Sequence, residues 1–207
     1  MWGKKEQALF WILAYIPVFL IGSYRYFFEK SMVEIKISRF TFPPSIVNVF
    51  IMVCILVFTW FLYRKVPNII FKKLEKKIKM ENKGENFVVQ KFDRLNLNDY
   101  TFFLLTLILP LITVDYTSTV SLFICFSVVI FIIILLINIE YIIACPIFFI
   151  SKYKIWKVNL SKPSNAPLKI DKEVFVITKI NDFFNREFRA VKLLRNVYFL
   201  IEKPNKL

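Results

Sequence analysis

Two carboxylates stand in or beside long apolar runs: Asp115 in YTFFLLTLILPLITVDYT, residues 100–117, and Glu140 in SLFICFSVVIFIIILLINIEYIIACPIFFI, residues 121–150. An acid inside a bilayer is costly, and where one occurs it usually marks a proton or ion path. Counting along the second run points to a plainer role. A helix entering near Ser118 or Ser121 rises about 1.5 Å per residue, so some 20 residues cross the roughly 30 Å hydrocarbon core. Glu140 then falls at the inner edge, within reach of water or a lysine, and Asp115 sits at the outer end of its own run. Both are read as interfacial acids, with a wet bundle interior around Glu140 as the sharper alternative.

The remaining candidates for chemistry are few. Cys54, Cys125 and Cys145 lie in apolar blocks and form no C-x-x-C pair, so they are read as reduced and buried. The chain has no His and only three Gly. That removes the commonest acid–base group and metal ligand, and with it any G-x-G-x-x-G or P-loop phosphate cradle. No catalytic, cofactor-binding or metal-binding residue is assigned. The chain is not expected to be an enzyme, and no cofactor is expected.

Charge carries more information. The stretch RKVPNIIFKKLEKKIKM, residues 64–80, sets Ile70, Phe71, Leu74 and Ile78 at helical spacing with lysines between them. This is a basic amphipathic helix, suited to an anionic lipid surface or to a protein partner. Lys72, Lys73, Lys76, Lys77 and Lys79, with Arg186, Arg189, Lys192 and Arg195 further on, are the candidate docking charges for a partner. Nucleic-acid binding is not expected, because a basic tail is also what membrane topology alone produces.

The elements that must position these residues follow from the composition. Of 207 residues, 57% are hydrophobic, and 24 are Phe. They come in blocks rather than with period 2 or 3.6, which points to membrane spans. Four are expected, near 8–28, 45–63, 100–117 and 120–141. The first is read as a retained anchor rather than a cleaved signal, since no small-residue cleavage site follows it. Pro43 and Pro44 suit the start of the second, and Pro110 is expected to kink the third. Lys and Arg favour the cytoplasmic side. The N-terminus holds two basic residues, the loop 64–99 ten and the tail thirteen, together 25, against four in the loop 23–44. Both termini are therefore expected in the cytoplasm of a bacterial inner membrane. In the tail, 151–207, KIWKVNL and EVFVITK alternate like strands, EFRAVKLL and NVYFLIEK are further strand candidates, with a short helix over 182–195 as the alternative, and ENFVVQKF in the loop is another strand candidate. About 55 residues make a small core, which docking on the loop strand would enlarge. The expected fold is an all-α four-helix transmembrane bundle, residues 1–150, with a small β-containing cytoplasmic region.

Short spans, a basic loop between the second and third, and a tail opening YKIWKVNL then EVFVITK, with Tyr153, Lys154, Trp156 and Lys157 at its entry, resemble the KwaA family. Its members are the membrane subunits of the bacterial Kiwa anti-phage defence system. The resemblance implies an oligomeric inner-membrane sensor, a tetramer, whose cytoplasmic face docks a soluble effector of the KwaB kind. It carries over no functional residue. The reading is a multi-pass sensor and scaffold. The alternative is a pore-forming or membrane-disrupting effector, which needs a polar stripe along a span; Asn48, Thr59, Thr106, Thr113, Ser127, Asn138 and Glu140 are the scattered candidates. A transporter usually needs more spans and an internal repeat, and a membrane enzyme needs convergent polar groups; neither pattern is present.

Overall fold

The computed structural model describes residues 3–28, 35–37, 40–81, 84–95, 118–139, 142–161, 173–183 and 187–202, with Thr101, Leu104, Leu105 and Ile108. Asp115, Glu140, Arg186 and most of the expected third span, Pro110 included, lie outside the described residues.

Helix α1 runs Lys4–Phe27. After a short hairpin of β1, Ile35–Ile37, and β2, Phe40–Phe42, helix α2 runs Pro44–Glu81. The expected second span and the basic amphipathic helix are thus one element. Pro67 sits inside it and leaves the Tyr63 carbonyl without its helical donor. The helix continues because Pro67 falls on a stripe buried in the core, one residue per turn: Thr59, Tyr63, Pro67, Phe71 and, two turns on, Ile78. Helix α3 is Thr119–Asn138, and a 3₁₀ turn, Ile142–Ala144, and the single-turn helix α4, Ile147–Ile150, follow it.

Among the described residues, α1, α2 and α3 are long and apolar enough to cross a membrane. They pack antiparallel in pairs. Along α1 and α2, Phe10 meets Phe71, the Tyr63 hydroxyl donates to the Ala14 carbonyl, and the Tyr24 hydroxyl donates to Asn48 Oδ1. Along α1 and α3, Phe19 meets Phe126 at 5.0 Å and Tyr26 meets Thr119. The start of α1, the second half of α2 and the end of α3 therefore share one end of the molecule. Cys125 and Cys145 are buried and free, but Cys54 lies on the outer face of α2 and is exposed, because α2 packs on α1 along one stripe only.

Five strands form a barrel at that end: β3 Glu85–Arg94, β4 Lys154–Ser161, β5 Glu173–Thr178, β6 Glu187–Lys192 and β7 Val197–Glu202. It closes in the order β3-β4-β5-β7-β6, with β5 and β7 parallel and every other pair antiparallel. This is the order of the five-stranded Greek-key barrel called the OB fold. Its interior holds Phe87, Trp156, Val158, Val176, Phe188 and Leu200, and Phe183 plugs it against the rings of Trp156, Phe188 and Phe92.

The expectation of an all-α four-helix transmembrane bundle with a small β-containing region is overturned. The β part is a closed barrel with a core of its own beside the helices. Closure removes both sheet edges, and period-2 alternation lets one face of each strand fill the interior. The β5–β7 side supplies a second apolar face. Ile177, Val197, Phe199 and Ile201 join Ile155 in the core that also contains Phe10, Trp11, Phe71 and Phe148. The first turns of α1 therefore belong to the barrel-side core.

Candidate docking face and helix–barrel junction

Two features of α2 position the candidate residues. The apolar run of α2 ends at Tyr63, where Arg64 and Lys65 follow and are exposed. At about 1.5 Å per residue the 18 residues after Tyr63 reach roughly 27 Å further, alongside the barrel. In this half Phe71 and Ile78 face the barrel, while Lys72, Lys73, Lys76 and Lys77 face solvent.

Glu75 stands four residues after Phe71, so it falls on the barrel-facing stripe. Its Oε2 accepts from Lys179 Nζ at 2.8 Å and its Oε1 from Lys79 Nζ at 3.0 Å. The Lys179 ammonium also lies 5.1 Å from the centre of the Tyr153 ring. Burial raises the Glu75 carboxyl, but the hydrogen bonds from Lys179 and then Lys79 outweigh it and hold the group below the ordinary carboxylate range. Burial lowers the Lys179 ammonium, but the bond to Glu75 and the Tyr153 phenol beside it outweigh that, and its pKa is raised. These groups border a cavity of about 440 Å³ that continues to Asn181, Asp182 and Glu202. It is the junction between α2 and the ends of β5 and β7.

A second cavity, about 350 Å³, opens between α2 and β6, with Glu6 of α1 and Glu81 in its lining. Ile70, Leu74 and Ile78 line one wall, Val191 and Leu193 the other, and Lys73, Lys77 and Lys192 stand at the rim.

The candidate docking charges separate accordingly. Lys73, Lys77 and Lys192 are brought together, although α2 and β6 are more than a hundred residues apart in sequence. Lys72 and Lys76 stay on the same exposed helix face without lining the groove. Lys79 is diverted to the junction. Arg189 lies half-buried on β6, and Arg195 is exposed in the turn between β6 and β7. Glu75, Lys179 and the role of Tyr153 were not found from sequence. One signal was present: Glu75 is the lone acid in KKLEKKIK and shares the phase of Phe71.

Two of the polar residues considered for a pore are already engaged. Asn48 Oδ1 accepts from Tyr24 at 2.6 Å, and Thr59 Oγ1 donates to the Ile55 carbonyl of its own helix at 2.8 Å.

Comparison with known proteins is decisive at one level only. No curated protein and no solved structure matches. The family model described as anti-phage protein KwaA matches residues 6–199. That span takes in α1, α2, α3 and the barrel up to β7, so the chain belongs to the KwaA family of anti-phage defence proteins.

Proposed function

We propose that this protein is a non-catalytic membrane sensor and scaffold of anti-phage defence, coupling events in the inner membrane to a soluble cytoplasmic effector. The observation that carries this reading is how the barrel is threaded. Strand β3 follows α2 with Gly84 between them, and β4 follows α3 through the 3₁₀ turn and α4. Those two strands are neighbours in the barrel, paired from Val88 with Ser161 to Arg94 with Trp156. A closed, packed barrel resists deformation, so a displacement of α2 against α3 is transmitted to it as a unit.

Charge supports the orientation. The basic residues at the start of α1, on the second half of α2 and on the barrel lie at one end, and the positive-inside preference assigns that end to the cytoplasm. The exposed lysines of α2 there suit an acidic partner surface, since complementary charge sets encounter rate and register. Assembly as a homo-oligomer, a tetramer by the family resemblance, fits the apolar outer face of α2, where Phe50, Val57 and Phe61 are exposed in the single chain. On the outer face of β4 and β5, which correspond to the usual ligand face of an OB barrel, the described residues include one aromatic, Phe175, half-buried against the helix-side core. The same face carries Lys157, Asn159 and Glu173, and Lys157 is paired with Glu173 at 2.7 Å. Binding of single-stranded nucleic acid usually relies on stacking, so it forms no part of this proposal.

The test is co-purification with a KwaB-like effector. The wild-type chain should retain it at low salt, and Lys72→Glu, Lys73→Glu and Lys76→Glu together should release it while membrane insertion is unchanged. A wild-type chain that retains no effector at any salt concentration refutes the docking reading, and ion flux through reconstituted liposomes then tests the pore.

A further inference from the structure

The groove between α2 and β6 has the chemistry of a receptor for one kind of ligand. Its floor is apolar: Ile70, Leu74 and Ile78 recur once per turn along α2, facing Val191 and Leu193. Its charged lining is three lysines against two glutamates. Lys73 and Lys192 hold no ion pair among the described residues, and Lys77 has only Glu81 at 4.0 Å. Two acids also line the groove: Glu6, which accepts the Gly3 N–H at 2.8 Å, and Glu81, the partner of Lys77. We infer that this groove seats an acidic amphipathic helix of a cytosolic protein, with apolar side chains in the floor and carboxylates on Lys73, Lys77 and Lys192. The inference rests on the docking reading and specifies where and how docking occurs.

Three observations select this occupant. The first is position. Ile70 lies seven residues, about 10 Å, beyond Tyr63, where the apolar run of α2 gives way to Arg64 and Lys65, whereas each headgroup layer is only about 5–8 Å thick. The groove thus opens beyond the lipid headgroups, into the cytosol. The second is closure: the barrel offers no free strand edge at the groove, which rules out strand addition there, and an apolar trough with lysines in its lining suits the helix-in-groove mode. The third is spacing. Floor residues one turn apart match the i, i+3 and i+7 side chains of a helix laid along α2.

The test uses the full chain in nanodiscs and three fluorescein-labelled helical peptides, read by anisotropy. The first peptide carries Leu at i, i+3 and i+7 with Glu between, the second replaces each Leu by Gln, and the third replaces each Glu by Lys. The first should bind, and the other two should bind at least about ten-fold more weakly. Leu74→Gln and, separately, Lys192→Glu should each weaken the first peptide by about ten-fold, with thermal unfolding checked to show that the barrel remains folded. Equal binding of the Leu and Gln peptides, or no binding of the Leu–Glu peptide, overturns the inference. Displacement of the first peptide by a soluble short-chain phosphatidylglycerol, lost in Lys192→Glu, overturns it in favour of a lipid site. Effector retention distinguishes the two levels. If wild type retains effector and both groove variants retain it equally, the groove assignment fails while the docking reading stands.

Discussion

Phe71 is the residue on which the union of helices and barrel depends most. It is fully buried, and its ring lies 4.7 Å from Tyr153, 5.4 Å from Phe199, 5.6 Å from Phe10 and 6.0 Å from Phe148. Those rings come from α1, α4, β7 and the residue just before β4, so one side chain of α2 touches three other elements and the entry to a fourth. Phe71→Ala removes the transfer energy of the ring and leaves a cavity that a rigid barrel wall cannot collapse into, a loss of about 3–5 kcal/mol. For a chain of this size each kcal/mol is worth roughly 2–4 °C in Tm, so the shift should be about 6–20 °C. Phe58→Ala on the same helix is the control, because Phe58 is 53% exposed on the outer face and should cost well under 1 kcal/mol by this mechanism. The assay is thermal unfolding in nanodiscs followed by intrinsic tryptophan fluorescence, with Trp156 reporting from inside the barrel. A Phe71→Ala shift no larger than that of Phe58→Ala would refute the claim that this aromatic cluster joins the two halves.

Three further outcomes are expected. Gly84, between α2 and β3, has φ +113°, and a Cβ there would lie 2.8 Å from Arg189 Cγ and 2.9 Å from the Ala190 carbonyl oxygen; Gly84→Ala should cost at least about 2 kcal/mol in chemical unfolding, from strain and contact with backbone, and a neutral result contradicts the geometry. Glu75→Gln should cost about 1 kcal/mol at neutral pH, since the pair with Lys179 is partly exposed. Because the folded pKa of Glu75 is lowered, its contribution is full above the ordinary carboxylate range near about 4 and is lost as pH falls through the folded value; the Tm difference between wild type and Glu75→Gln should therefore shrink in acid, and a difference that grows there contradicts the ion pair. The raised Lys179 pKa keeps its share of the pair intact until strongly alkaline pH. Effector retention on the lysine face should weaken between low and moderate salt, as screening of exposed charges requires; retention indifferent to salt argues against that face.

The helices were legible in the sequence because their signal is local. Runs such as 8–28, 45–63 and 120–141 are apolar enough that a helix is the economical way to satisfy their backbone, and α1, α2 and α3 cover them up to Phe27 in the first and Asn138 in the last. Strands β4 and β5 were legible for the same reason, since alternation in KIWKVNL or EVFVIT is read within one segment, whereas residues 182–195 left β6 open between a strand and a short helix. Basic residues around 72–79 and 189–195 were visible as charge, but their grouping was not. Only the tertiary structure decided that β3 pairs with β4 across the intervening α3, closing a barrel where a bundle with a small β region was expected. The same holds for the bond of Glu75 to Lys179, 104 residues away, and for the meeting of Lys73 with Lys192 over one groove. Even the passage of α2 through Pro67 depended on burial against the core rather than on propensity. Periodicity reports which face of a segment is apolar; it does not report which other face will cover it, because that choice is made between segments far apart in the chain and is settled by packing.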